Sequence, residues 1–182
     1  MTIRSDEAAA MLADVDSVVA KVKQSRIYRN AALIIMLWGV VNLVRDALIA
    51  MAPAWFGSRW FVIDAIGVFG TLALLRWTVE PGARFPFKTL AAFCLFYAFG
   101  WIWANFLGGF GPREQMAFWP TLFLFGYALA GLWFGAAFSV IGLGLTALVL
   151  AGYVWSGAAF PLWLAAVSGG GFILCGLWMR RA

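Results

Sequence analysis

Histidine is absent from all 182 residues. That absence removes His-ligated haem, most zinc sites, histidine general bases and histidine pH sensing. Ser-His and Cys-His nucleophile pairs and HExxH metal motifs go with it. Cysteine is nearly as scarce. Cys94 and Cys175 both lie inside apolar runs, with no CxxC spacing and no disulfide framework. Charged residues make up 12% of the chain, against about 25% in a soluble domain. The first 30 residues are polar and lack the basic, apolar and small-residue order of a cleaved signal peptide. The first apolar run is therefore expected to serve as the targeting signal.

Apolar residues fill the space the others leave. They account for 64% of the chain, and mean hydropathy is +0.90. Soluble domains average about 45–50% apolar, so the composition belongs to the polytopic membrane class. Net charge is +5 and the pI about 9.7. The basic residues flank apolar runs, so they read as a topology signal and a contact with anionic lipid headgroups, not as a nucleic-acid surface.

The apolar runs number six, at 31–52, 60–79, 89–108, 116–134, 137–155 and 161–179. Turn chemistry separates them: Pro53 and Gly57, then Glu80-Pro81-Gly82 and Pro86, then Gly108 to Pro112, then Gly135 alone, then Ser156-Gly157 and Pro161. If the runs alternate direction, one side holds Arg4, Lys21, Lys23, Arg26, Arg29, Arg76, Arg84, Lys88, Arg180 and Arg181. The other holds Arg59 and Arg113, with Arg45 leaning toward it. The positive-inside rule then puts both termini in the cytoplasm of a multi-pass inner-membrane protein. The expected fold is all-α: a six-helix transmembrane bundle over 31–182, preceded over 1–30 by an N-terminal amphipathic cytoplasmic helix.

Within that first segment, Met11, Val15, Val18 and Val22 are spaced 4, 3 and 4, as on one helix face, and Leu12, Val19 and Arg26 extend the edge. Ser5, Asp6 and Glu7 start it acidic, and Lys21, Lys23, Arg26 and Arg29 end it basic, as the helix dipole favours. It is read as a helix on the membrane surface or capping the bundle. The alternative is a partner-binding or dimerising helix, with residues 5–26 engaging a cytoplasmic protein.

Run one, AALIIMLWGVVNLVRDALIAM, carries Asn42, Arg45 and Asp46. A charge at the centre of a membrane helix costs about 2.5–3.5 kcal/mol, while each Leu, Ile or Val returns only about 0.3–0.6. This run needs partners. Arg45 before the first outer turn and Asp64 after it fall at similar depth, roughly 12–15 Å from that turn. Arg45 is therefore expected to pair with Asp64, Asp46 or both, giving a polar cluster of Asn42, Arg45, Asp46 and Asp64. An arginine between the aspartates argues against a shared-proton aspartyl dyad. No catalytic residue, metal site or cofactor is expected.

Every run also has a stripe of small or polar residues, expected to face the bundle interior because lipid offers no hydrogen bonds. Thr71, Tyr97, Trp101, Asn105, Thr146 and Ser168 are the candidates to line a weakly polar pocket or path. The even runs share a Gly-x6-Trp spacing at Gly70/Trp77, Gly126/Trp133 and Gly171/Trp178. It reads either as close packing plus interfacial tryptophan or as a threefold repeat of helical hairpins. Gly131 and Gly135 form a GxxxG spacing that could hold a homo-oligomer together.

The segments SRIYRN, LWG, FWPTLFLFGYALAGLWFG and PLWLAAVSGGGFILCGLWMRR resemble those of small six-helix bacterial inner-membrane proteins of uncharacterised function. The three-hairpin layout also looks like the urea/amide channels and the acetate/succinate uptake proteins, and LWLAAVSGGGFILCGLW is similar in texture to the latter. Those families imply oligomeric uptake pores. The chain lacks the Asn-Pro-Ala-Pro-Leu-Gly opening of the acetate family, and no residue role carries over. Two functions remain: non-enzymatic handling of a small solute or lipophile in the bundle, or an accessory subunit acting through its N-terminal helix.

Overall fold

A computed structural model describes residues 5–57, 59–78 and 87–181, and every regular element among them is helical. The longest, α1, runs unbroken from Ser5 to Met51. No proline occurs before Pro53 and nothing in SRIYRN breaks a helix, so α1 does not stop where the charges end. At 1.5 Å per residue its 47 residues span about 70 Å, twice a bilayer core. The expected boundary near residue 30 is therefore a change of surface, not of backbone.

A short α2 (Pro53–Phe56) turns the chain into α3 (Trp60–Thr78). Next comes α4 (Phe87–Ile102), which loosens into a π-helical turn over Trp103–Leu107. Then α5 (Pro112–Phe134) and α6 (Ala136–Trp155) are joined by Gly135 alone. Its φ of 126° is open to glycine and strained for other residues, so this uncharged join is a real break. The last rod consists of α7 (Phe160–Leu164), a π-helical stretch over Ala165–Gly170, and α8 (Gly171–Met179). Six stretches are long and apolar enough to cross a membrane: Tyr28–Met51, Trp60–Trp77, Leu90–Leu107, Pro112–Phe134, Ala136–Trp155 and Gly157–Met179. Each overlaps one predicted run.

The core is not shared equally among the six. Its buried side chains come from α1 (Ala32, Ile35), α5 (Ala117, Leu124), α6 (Phe138, Ile141, Leu145, Val149) and the α7–α8 rod (Phe160, Leu164, Phe172, Met179). Tyr127 on α5 ties it together through rings against Phe138 and Phe172. α1 sits between α3 on one side and the α7–α8 rod on the other. α3 and α4 are peripheral; only 6% and 11% of their apolar windows are buried. α4 meets α5 through rings, with Tyr97 stacked on Trp119 at 4.9 Å and Phe93 on Phe123 at 5.8 Å.

Glycines set the close approaches. A Cβ at Gly39 of α1 would lie 2.9 Å from the Gly169 carbonyl oxygen, and one at Gly176 would lie 2.9 Å from the Ala32 carbonyl oxygen. α1 and the last rod thus run antiparallel at near backbone contact, a small-residue packing of the kind common between apolar helices. Gly131 of the GxxxG spacing meets Ser139 of the same chain across the α5–α6 turn. Within the Gly-x6-Trp pattern, Gly70 and Gly171 pack on Leu37 and Leu145, while Trp77, Trp133 and Trp178 are exposed. Those positions fit packing plus an outward tryptophan.

Some expectations lie outside the described residues: the turn over 79–86 with Glu80, Pro81, Gly82, Arg84 and Pro86, the residue Arg4, and the side chains of Ser5, Asp6, Glu7, Met11, Leu12, Val19, Lys21, Lys23, Arg26 and Lys88.

Candidate functional site

The first hairpin places its polar groups in register. Arg45 on α1 faces Asp64 on α3, and seven residues deeper in each helix Trp38 faces Thr71. Seven residues make two turns, about 10.5 Å, so the two cross-links form successive rungs of one antiparallel pair. At the lower rung Trp38 Nε1 donates to Thr71 Oγ1 at 3.1 Å, and Thr71 donates on to the Gly67 carbonyl at 2.8 Å. Gly67 makes room for this, because a Cβ there would press on the Trp38 indole at 3.3 Å.

At the upper rung the Arg45 guanidinium lies between two carboxylates. Its Nε donates to Asp46 Oδ1 at 2.8 Å and Nη2 to Asp46 Oδ2 at 3.3 Å. Its Nη1 donates to Asp64 Oδ1 at 3.1 Å and Oδ2 at 3.3 Å. Neighbours on a helix do not normally face each other. Here the long arginine folds back along α1 to reach the next residue. Relative side-chain exposure is 1% for Asp46, 14% for Arg45 and 23% for Asp64. The triad is open on the α3 side alone.

Asn42 and Asp46 share the buried face of α1 that meets the last rod. There Gly169 abuts the Leu43 backbone, and the neighbouring Ser168 is buried to 1% exposure with no hydrogen-bond partner for its Oγ. Ser168 lies within the π-helical turn at 165–170, and such turns gather at functional positions. An unpaired buried hydroxyl costs about 1–3 kcal/mol. Ser168→Ala is thus expected to leave thermal stability in detergent unchanged or raised; a fall of more than about 1 kcal/mol would mean that the hydroxyl is bonded.

The other candidate lining residues do not converge. Trp101 and Asn105 are exposed on the outer face of α4 and its π-turn, contrary to the interior position expected of them. Asn105 Nδ2 donates to the Trp101 carbonyl at 3.0 Å. Thr146 is half-buried and bonds the Gly142 carbonyl at 2.7 Å. Thr121 and Ser156 likewise return hydrogen bonds to carbonyls four residues earlier, at 2.9 and 2.5 Å. A side chain satisfied by its own helix has no need of a shared interior. Tyr97 is 38% exposed and held by its stack on Trp119. Of the expected lining, Thr71 belongs to the same α1–α3 pair as the triad and Ser168 is buried in the last rod.

Sequence reasoning missed a second polar cluster, formed where α5 starts, α6 ends and α7 starts. Arg113 Nη2 donates to the Tyr153 carbonyl at 2.9 Å, and its guanidinium lies 5.3 Å from the Tyr153 ring and 5.7 Å from Phe160. Tyr153 Oη donates to Glu114 Oε1 at 3.4 Å. Pro112 at the first helical position and Glu114 in the first turn signal a helix start, but only the fold reveals the aromatic seat of Arg113. No group of three or more His, Cys, Asp or Glu side chains among the described residues could hold a metal ion. No protein-family model, curated protein or solved structure matches the chain.

Proposed function

We propose that the chain is an integral membrane protein that crosses the cell inner membrane six times, with both termini cytoplasmic, and that it binds a small solute or lipophile non-covalently at the Asn42–Arg45–Asp46–Asp64 site. The observation that carries this reading is the charge arithmetic of the triad. One guanidinium faces two carboxylates, so with all three ionised one negative charge is unbalanced in a mostly buried place. The Ser168 hydroxyl adds hydrogen-bonding capacity that the fold does not use, and Asn42 is buried on the same helix as Arg45 and Asp46. Intramembrane ionisable groups are expensive, and function is the default reason for them. The chemistry favoured is a solute bearing a positive or hydrogen-donating group, entering on the α3 side where Asp64 is partly open. Neither a nucleophile–base pair nor a metal is part of this reading, so binding, not catalysis, is what the site offers.

The topology has support of its own. Arg29, Arg180 and Arg181 lie at the end where α1 and the last rod adjoin, and Arg59 and Arg113 lie at the other. That bias is the one the positive-inside rule uses.

A second reading is kept for one observation. Val15, Val18 and Val22 are each more than half exposed on the part of α1 that extends beyond Tyr28. An accessory subunit would use that face for a cytoplasmic partner. Thiol labelling separates the two. In a background lacking Cys94 and Cys175, single cysteines at positions 42, 64, 71 and 105 are exposed to a small hydrophilic thiol reagent in intact membranes. Reaction at 42 and 64 supports the solute site. Protection of 42, 64 and 71, together with a phenotype confined to residues 5–26, would overturn it in favour of the accessory role.

A further inference from the structure

The two ends of the chain meet in a cleft. Ser25, Tyr28 and Arg29 of α1 and Met179 and Arg180 from the end of the last rod line a space of about 170 Å³. Met179 is buried and forms its apolar floor, while Ser25, Arg29 and Arg180 are exposed at its rim. No carboxylate is among these lining residues, and neither guanidinium forms an ion pair among the described residues. Two arginines in one concavity repel each other unless something negative lies between them.

Size narrows the occupant. Pockets for drug-sized ligands run to about 300–1,000 Å³, whereas about 150 Å³ suffices for a molecule as small as benzene. The cleft suits a compact anion with hydrogen-bond acceptors on several sides. Guanidinium forks match phosphate oxygens bidentately, and the Ser25 hydroxyl adds a donor. The position suits it too: Tyr28 opens the first apolar stretch and Met179 closes the last, so the cleft lies where headgroups would be.

We propose that this cleft binds a phosphate group, held between Arg29 and Arg180 with the Ser25 hydroxyl as a further donor. The phosphate could belong to the headgroup of an anionic phospholipid or be free in solution, and the binding chemistry is the same. The lipid source rests on the membrane reading given above; the cleft itself does not. By contrast with the buried triad, which is net negative, this site would clamp α1 to the last rod at their shared end and so stabilise that crossing.

The test measures thermal stabilisation of the purified full-length chain in neutral detergent. One titration adds phosphatidylglycerol, a second adds inorganic phosphate, and phosphatidylcholine serves as the lipid control. The Arg29→Gln/Arg180→Gln pair is expected to weaken binding by about tenfold to thirtyfold, from about a factor of five per arginine. Arg59→Gln/Arg113→Gln, with the same charge lost at the other end, is expected to bind as the parent does. Ser25→Trp keeps both guanidinium groups and fills the cleft from an exposed position, so it should abolish stabilisation without harming the fold. Stabilisation by phosphatidylglycerol but not phosphatidylcholine supports a headgroup, and stabilisation by inorganic phosphate supports a free anion. Equal losses in the two arginine pairs, retained binding in Ser25→Trp, or no stabilisation by either phosphate would overturn the proposal. None of these outcomes depends on thiol labelling at the triad.

Discussion

Arg45→Met is expected to be the most damaging single substitution in the chain, lowering stability by about 3–5 kcal/mol. The side chains of Asp46 and Asp64 accept all of the guanidinium's hydrogen bonds, at 2.8 to 3.3 Å, and both lose their counter-charge at once. Asp46, at 1% exposure, has no route to water. For a chain of this length 1 kcal/mol is worth about 2–4 °C, so the melting midpoint in detergent should fall by about 6 °C or more. Arg45→Lys should also destabilise, though less. A lysine keeps the charge but is a point donor on a stem and cannot fork across two carboxylates. If Arg45→Met melts within about 2 °C of the parent, the pair energies assigned here are wrong.

The second large effect is steric. Gly142 on α6 lies against α5 so closely that a Cβ there would fall 2.5 Å from the Leu124 carbonyl oxygen and 2.6 Å from the Ala128 nitrogen. Both neighbours are backbone and cannot rotate aside. Gly142→Ala must push α5 and α6 apart along the interface where Leu124, Phe138, Ile141 and Leu145 are buried. Overpacking of this kind costs about 1–3 kcal/mol, occasionally more. Gly144, one turn-face away on the same helix, has open space at its Cβ and provides the control. Gly144→Ala should be neutral or slightly stabilising, since alanine is the better helix former by about 1 kcal/mol. Equal melting of the two variants would contradict the packing described.

Much of the architecture can be read from residue order, for simple reasons. Apolar runs long enough to cross a bilayer core can be counted directly, and turn residues punctuate them, so each of the six stretches overlaps its expected run. Depth along an α-helix follows from counting residues, which is why Arg45 and Asp64 could be matched across a hairpin with no contact in view. The α5–α6 break at Gly135 could be read from one glycine because only that residue takes φ of 126° without strain.

Other features escape such counting. The 1–30 segment was separated from the first run by charge, but charge does not end a helix; glycine or proline would have had to. The stripes of polar residues were expected to converge because lipid cannot satisfy them. Thr121, Thr146 and Asn105 instead bond carbonyls four residues back, so their faces are unconstrained and Trp101 and Asn105 end up outside. The unequal core also has no signal in composition, since α3 and α4 are as apolar as their neighbours. One signal was present and unused. Ala32, Gly39 and Asp46 recur every seven residues on α1, and Gly169 and Gly176 do the same on the last rod. That matched spacing is the crossing which leaves Ser168 without a partner.

Three charges hold each other in a mostly buried place, and neutralising them together tests that arrangement most directly. Thermal unfolding of the parent, Arg45→Met and the Arg45→Met/Asp46→Asn/Asp64→Asn triple variant would be compared in lipid nanodiscs at one pH. If the triad is buried and mutually compensating, the triple variant regains at least half of the stability that Arg45→Met loses, because no uncompensated charge remains. A triple variant as unstable as Arg45→Met, or worse, would mean that water or another group already balances the aspartates, and the interior charged site would have to be abandoned.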